Sequence, residues 1–188
     1  MIIYELIVKE NVGNSMDTLI LKARSSSLTE EIIEVTKIKN IDSNILRDII
    51  ANGKAIIIRS LKRYGIVKLL SIGEGLRTKV NVNVGTSTTI IDINMEIEKC
   101  KIAIKYDTDS IMDLSVSGDL SNIRRVLIKN SELLPFGTVP TYQAYLDSVR
   151  KFKSLPNDDY FIKVIEEHLK DCVYFMTIHA SINEAKYI

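Results

Sequence analysis

The spacing of apolar and polar residues changes several times along the chain, and each change marks an element. Residues 1–15, MIIYELIVKENVGNS, open with a strand-like apolar run and end in a loop. From Met16 the texture shifts to MDTLILKARSSSLTEEIIEVTKI. A Ser/Thr cluster ahead of Glu30 and Glu31 predicts a helix start, because acids in a first turn oppose the positive end of the helix dipole. DSNILRDIIANGK predicts a second helix. Ser43 is its expected cap, Ile45, Leu46, Ile49 and Ile50 its apolar stripe, and Gly53 its stop. AIIIRS (55–60) predicts a buried strand.

From Lys79 onward strand and helix patterns alternate. KVNVNVGT (79–86) predicts a strand, followed by a helix over 92–106 with Met95, Cys100, Ala103 and Ile104 at core spacing. SIMDLS (110–115) leads to a helix over 119–130, and FGTVP (136–140) leads to a helix over 141–152. A helix over 158–171 starts after Asn157 or Asp158, and YFMTIHA (174–180) predicts the last strand. Four strands alternating with helices point to an α/β fold of parallel β/α units. The expected division is an entry region over 1–78 and the repeating units over 79–188.

Ligands of parallel α/β folds bind beyond the carboxyl ends of the strands. Those ends carry Asn83, then Met112, Asp113 and Ser115, then Thr138 and Tyr142, then His179. Amide, carboxylate, hydroxyl and imidazole would thus share one rim. Each also has an ordinary role: Asn83 in a turn, Asp113 as a helix cap, Met112 and His179 in the core, Tyr142 on a helix surface. Asp119 and Ser121 are better sited than Asp113 to cap the next helix.

Composition narrows the field. Hydrophobic residues make up 46% of the 188 and charged residues 26%, with a net charge of +1, so no nucleic-acid partner is expected. The basic stretch IIIRSLKRYG (56–65) reads as a solvated turn, with a phosphate-contacting loop as the other reading. No apolar run reaches a membrane span, so no membrane partner is expected. Cys100 and Cys172 fit neither a zinc pattern nor a disulfide framework, which favours a reducing cytoplasm. IGEGLRT (72–78) lacks the strand and helix context of a dinucleotide fingerprint, and there is no P-loop or nucleophile elbow. Glu166, Glu167 and His168 resemble part of a metal helix without its second histidine, so His168 is expected to face solvent or lie half buried.

Four segments, IGEGLRTKVNVNVGTS, IMDLS…GDL…IRR, PFGTVPTYQA and FMTIHA, resemble the phosphomethylpyrimidine synthase family, radical S-adenosylmethionine enzymes of thiamine biosynthesis. The resemblance covers residues 16–182, about the first half of a family member. It implies an incomplete (β/α)8 TIM-type barrel preceded by a short helical region. It also implies conversion of aminoimidazole ribotide to hydroxymethylpyrimidine phosphate, a carbon–carbon lyase reaction driven by a radical from S-adenosylmethionine at a [4Fe-4S] cluster. By resemblance the substrate-binding residues are Asn83, Met112, Tyr142 and His179. The family's zinc-binding histidines and Cys-x-x-Cys-x4-Cys cluster motif have no counterpart here, so no catalytic or metal residue is expected and the chain alone should be inactive. The other reading is a non-catalytic remnant that binds a phosphorylated metabolite or serves as an assembly scaffold. Met16 matches the family start better than Met1, so residues 1–15 are expected to be an extension outside the fold. Departures from the family fall at Arg59–Arg63, at Val116-Ser117-Gly118 and at Ser181, where serine for glycine would block a positive φ. A half-barrel exposes strand edges and loses inner-face burial, so a homodimer or a missing second half is expected.

Overall fold

The computed structural model describes residues 18–39, 41–58, 67–131, 133–153 and 155–179. They form two compact units, divided between Val80 and Asn81. The expectations for residues 1–15, for most of the 56–65 stretch and for Ser181 lie outside the described residues.

The first unit holds helices α1 (Leu19–Arg24), α2 (Glu30–Lys39) and α3 (Ser43–Ala51), then strands β1 (Ala55–Ile58) and β2 (Leu70–Gly73). α3 is capped one residue earlier than expected: Asp42 accepts from the Asn44 and Ile45 amides, while Ser43 is already helical. A carboxylate accepts two orphan amides at once, which one hydroxyl does less well. Gly53 ends α3 in the left-handed region, with the Gly53 and Lys54 amides closing onto Ile50 and Ile49. β2 was not anticipated; it pairs antiparallel with β1, Ala55 opposite Gly73 and Ile58 opposite Leu70. Gly73 is required there, since a Cβ would sit 2.2 Å from the Lys54 carbonyl oxygen. Ala23, Ile32, Val35, Leu46, Ile50 and Ala55 form the core. Ile45, expected in the buried stripe, is exposed: the buried face of α3 is narrower and runs through Leu46 and Ile50.

The second unit is a parallel sheet ordered β3 (Asn81–Val84), β4 (Ser110–Asp113), β5 (Phe136–Thr138), β6 (Phe175–Met176). All three pairings are parallel and neighbours in the sheet are neighbours in sequence. Each crossover runs through helix: α4 (Ile93–Lys105), α5 (Leu120–Asn130), and the pair α6 (Pro140–Phe152) and α7 (Asp158–Lys170). Asp92, Asp119 and Asn157 cap α4, α5 and α7. Val84, Ile111 and Phe136 face Cys100, Ala103, Ile123 and Leu127 in one core. Full burial of each large member stabilises by roughly 1.5–3 kcal/mol. Met95 is the exception to the expected helix stripe: it is exposed, and Glu96 beside it is buried instead. The strands are shorter than their apolar runs. β6 is two residues long, with Phe175 opposite Gly137 and Met176 opposite Thr138, and the flanking Tyr174 and Thr177 amides donate to the Phe136 and Thr138 carbonyls.

Helices α5, α6 and α7 are tied to β5 by a buried polar chain. The Thr138 hydroxyl lies 2.8 Å from His168 Nδ1, and His168 Nε2 lies 3.0 Å from Gln143 Oε1. An amide oxygen only accepts, so Nε2 carries the proton and Nδ1 accepts from Thr138. Arg124 donates to the same Gln143 oxygen at 2.6 Å and to Asp171 through two further N–H groups. His168 is 3% exposed, which corrects the expectation of a solvent-facing residue. It sits on the apolar face of α7 with Val164 and Ile165, one turn from the helix end that Asp171 caps. Burial and then the neighbouring Arg124 charge push its pKa down to about 3.

His168 therefore stays neutral in the native state while the unfolded chain takes up a proton at ordinary histidine pH. The stability it contributes is complete above about pH 6.5. It falls as pH drops toward 3, by on the order of 1 kcal/mol per pH unit. Thermal melts between pH 7 and 4 should show this slope. His168→Gln should lower stability at pH 7 by about 1–3 kcal/mol and flatten the slope, and a slope equal to native would refute the assignment.

Candidate functional site

Side chains alternate across a sheet, so Val82, Val84, Ile111, Asp113, Phe136 and Thr138 turn to the helices, and Asn81, Asn83, Ser110 and Met112 turn to the other face. Asn83 is the direct partner of Met112, and Met112 of Gly137. On that face Ser110 donates to Asn81 Oδ1 at 2.7 Å, and Asn81 Nδ2 donates to Asn83 Oδ1 at 3.0 Å. A cross-linked amide row of this kind orients Asn83 with its own NH2 group free of that chain. Asn83 is exposed and Met112 is buried.

Tyr142 and His179 come from different elements. Tyr142 lies in the first turn of α6, whose Pro140 supplies a preset first helical residue. His179 lies three residues beyond β6. Their rings stack with centroids 5.6 Å apart and planes 23° off parallel. Thr141, beside Tyr142, buries a hydroxyl for which no hydrogen-bond partner is present among the described residues. The four candidate residues thus form two pairs, Asn83 in register with Met112 and Tyr142 stacked on His179, both toward the carboxyl end of one parallel sheet.

The other polar residues of the strand ends do different work. Asp113 does not cap a helix. Its Oδ1 accepts from the Ser115 amide at 2.8 Å and the Ser115 hydroxyl at 2.5 Å. Thr138 faces His168. The turns after β3 and β4 are laced together. The Leu114 amide donates to the Val84 carbonyl, the Val116 amide to the Thr86 carbonyl, the Thr86 amide to Ser115 Oγ, and the Thr86 hydroxyl to the Ser117 carbonyl at 2.6 Å. Gly85 permits this approach, with φ +139° and a Cβ position 2.5 Å from the Ser115 nitrogen. In the 116–118 turn the positive φ falls on Gly118, and Ser117 has none, so serine there is unstrained.

Glu96 was not singled out from the sequence. Its carboxylate accepts from the Gly85 amide at 2.6 Å and from Lys99 Nζ at 2.7 Å, and it is 1% exposed. A signal was present: Glu96 shares the helix face of Ile93, Ile97 and Cys100, so a charge stands in an apolar stripe. Burial raises the pKa of Asp113, against the two Ser115 hydrogen bonds and the Arg124 charge that lower it, with the Glu96 carboxylate adding to the rise. Burial, Asp113 and Glu96 together push the Cys100 thiol up to about 11, so Cys100 is a core thiol and not a nucleophile.

The cysteines do not suit a cluster. Cys100 is sealed in the core, and Cys172, at the end of α7, turns its sulfur toward the Lys170 carbonyl. Among the described residues no three His, Cys, Asp or Glu side chains gather as a metal site. The described residues thus offer no ligand set for an iron–sulfur cluster or a zinc ion. No helix among them is long and apolar enough to cross a membrane.

Comparison with known proteins joins these observations. The sequence model of the Radical SAM ThiC family matches residues 18–187. The chain is 46% identical over 167 residues to the phosphomethylpyrimidine synthase of Ignicoccus hospitalis, covering 88% of this chain and 38% of that protein. It is 45% identical over 168 residues to phosphomethylpyrimidine synthase 1 of Saccharolobus solfataricus and 43% identical over 167 residues to the enzyme of Sulfolobus acidocaldarius, with the same coverage. It spans 38% of the length of these curated relatives. With a parallel β/α sheet carrying the four family segments in order and a sequence match over nearly all its length, the chain belongs to the Radical SAM ThiC family.

Proposed function

We propose that this chain supplies the ribotide-binding rim of a phosphomethylpyrimidine synthase. In this reading β3 to β6 are the first four strands of a (β/α)8 barrel, and aminoimidazole ribotide lies against Asn83, Met112, Tyr142 and His179. The observation that carries it is the Tyr142–His179 ring stack at the same end of the sheet as the Asn83–Met112 pair. Asn83 offers an amide NH2 to an acceptor on the ribotide. Met112 offers a polarizable thioether to the imidazole face. Tyr142 and His179 offer a hydroxyl and a ring nitrogen beside a planar stacking surface. The chain contributes substrate recognition to a carbon–carbon lyase of thiamine biosynthesis, and the residues that make the radical and hold iron and zinc lie outside it. The reaction belongs to the cytoplasm.

Calorimetric titration with aminoimidazole ribotide tests this. Weak binding is expected, reduced about tenfold or more by Asn83→Ala and by His179→Ala, a change of about 1.4 kcal/mol each. Binding that all four alanine variants leave untouched, or no binding at all, rejects the reading.

The purified chain with aminoimidazole ribotide, S-adenosylmethionine, iron, sulfide and a one-electron reductant should form no pyrimidine product above background. Product detected by mass spectrometry would contradict the assignment of radical chemistry to residues elsewhere.

β3 and β6 are the outer strands of the described sheet. We infer that, in the 188-residue chain by itself, a second copy covers the edges that further strands of the same barrel would otherwise pair with. Sedimentation of the chain should then show a dimer or larger species. A compact monomer that unfolds cooperatively would speak against it.

A further inference from the structure

Glu96 is a costly way to fill a place in the core, since a carboxylate at 1% exposure gives up its hydration. It keeps its charge satisfied with one lysine and one backbone amide. Lys99 Nζ reaches it from one turn along α4, and that lysine is 43% exposed. The amide is that of Gly85, the first residue past β3 and two residues from Asn83. The Val84 carbonyl and the polar backbone groups of Thr86 are bonded to the turn after β4. By strand alternation the Gly85 N–H points to the opposite edge of β3, where no described strand supplies an acceptor. Glu96 supplies it, at a distance typical of a charge-assisted bond. The Gly85–Thr86 segment is thereby held from both sides: by Glu96 on one, and by Ser115, itself held by Asp113, on the other.

We infer that Glu96 is a positioning residue for ribotide binding: its carboxylate holds the Gly85 amide and so fixes the end of β3 that presents Asn83. This rests on the reading of Asn83 as a ligand contact. Nothing about the core requires an acceptor here, because Ile97, Cys100 and Ala103 pack α4 against the sheet without it. The strand end does require one, since Gly85 has no side chain of its own to brace it.

The test uses the full 188-residue chain and two measurements, hydrogen exchange at the Gly85 amide without ligand and calorimetric titration with aminoimidazole ribotide. Glu96→Leu removes the acceptor while keeping an apolar fill. It is expected to speed Gly85 exchange about tenfold or more and to weaken ribotide binding by about tenfold. Glu96→Gln keeps an acceptor for the amide and should stay within about threefold of native in both. Asp92→Ala, which removes the cap of the same helix without touching Gly85, should lower the melting midpoint and leave affinity unchanged. If Glu96→Leu does not fold, Glu96→Asp withdraws the oxygens by one methylene and gives the same readings. Native protection of Gly85 in the Leu or Asp variant overturns the inference, as does an equal loss of affinity in Asp92→Ala. Ribotide binding that survives the loss of Gly85 protection overturns it alone. Absence of binding by the native chain instead sinks the reading of Asn83, and this inference with it.

Discussion

A parallel ladder puts every strand's carboxyl end on the same side of the sheet, and that constraint governs the described residues from 81 to 179. Each return from one strand to the next must cross the full length of the sheet, which is what α4, α5 and the α6–α7 pair do. The loops that follow the strands then collect on one rim. Asn83, Met112, Tyr142 and His179 are separated by up to 96 positions in sequence and reach that rim from two strands, the start of one helix and the segment after the last strand.

The two faces of this sheet treat polar residues differently. On the helix side every polar strand residue is enclosed and bonded: Asp113 by Ser115, Thr138 by His168. Such groups are tolerable in a core only when their hydrogen bonds are complete. On the other face Asn81 and Asn83 remain exposed and bond in a row that begins at Ser110. A strand pattern such as NVNV is thus a record of two environments, one apolar and one wet, read at alternate residues.

The rim is braced by groups that do not belong to it. Glu96 and Asp113 hold the turns after β3 and β4 from the helix side, and Gly85 allows the two turns to meet. Gln143 follows Tyr142 in α6 and is fixed by Arg124 and His168. Recognition of a small polar metabolite depends on such support, because a contact residue free to move loses part of its binding energy to ordering.

The sequence alone determined the alternation of strands and helices, the parallel class and the four family segments. Periods of two and 3.6 are local properties, and the segments KVNVNVGT, SIMDLS, FGTVP and YFMTIHA carry them in short windows. It did not determine strand lengths, because an apolar run such as YFMTIHA continues past the point where β5 stops offering partners. It missed β2, whose only sign is a pairing with β1 fixed by the glycine at Gly73. It misjudged His168 and overlooked Glu96, because both are polar residues on buried helix faces. Their burial follows from what lies opposite: Thr138 and Gln143 for the one, the Gly85 amide for the other. Which polar group finds a partner across the fold is a matter of distance in space, and only the tertiary structure sets that distance.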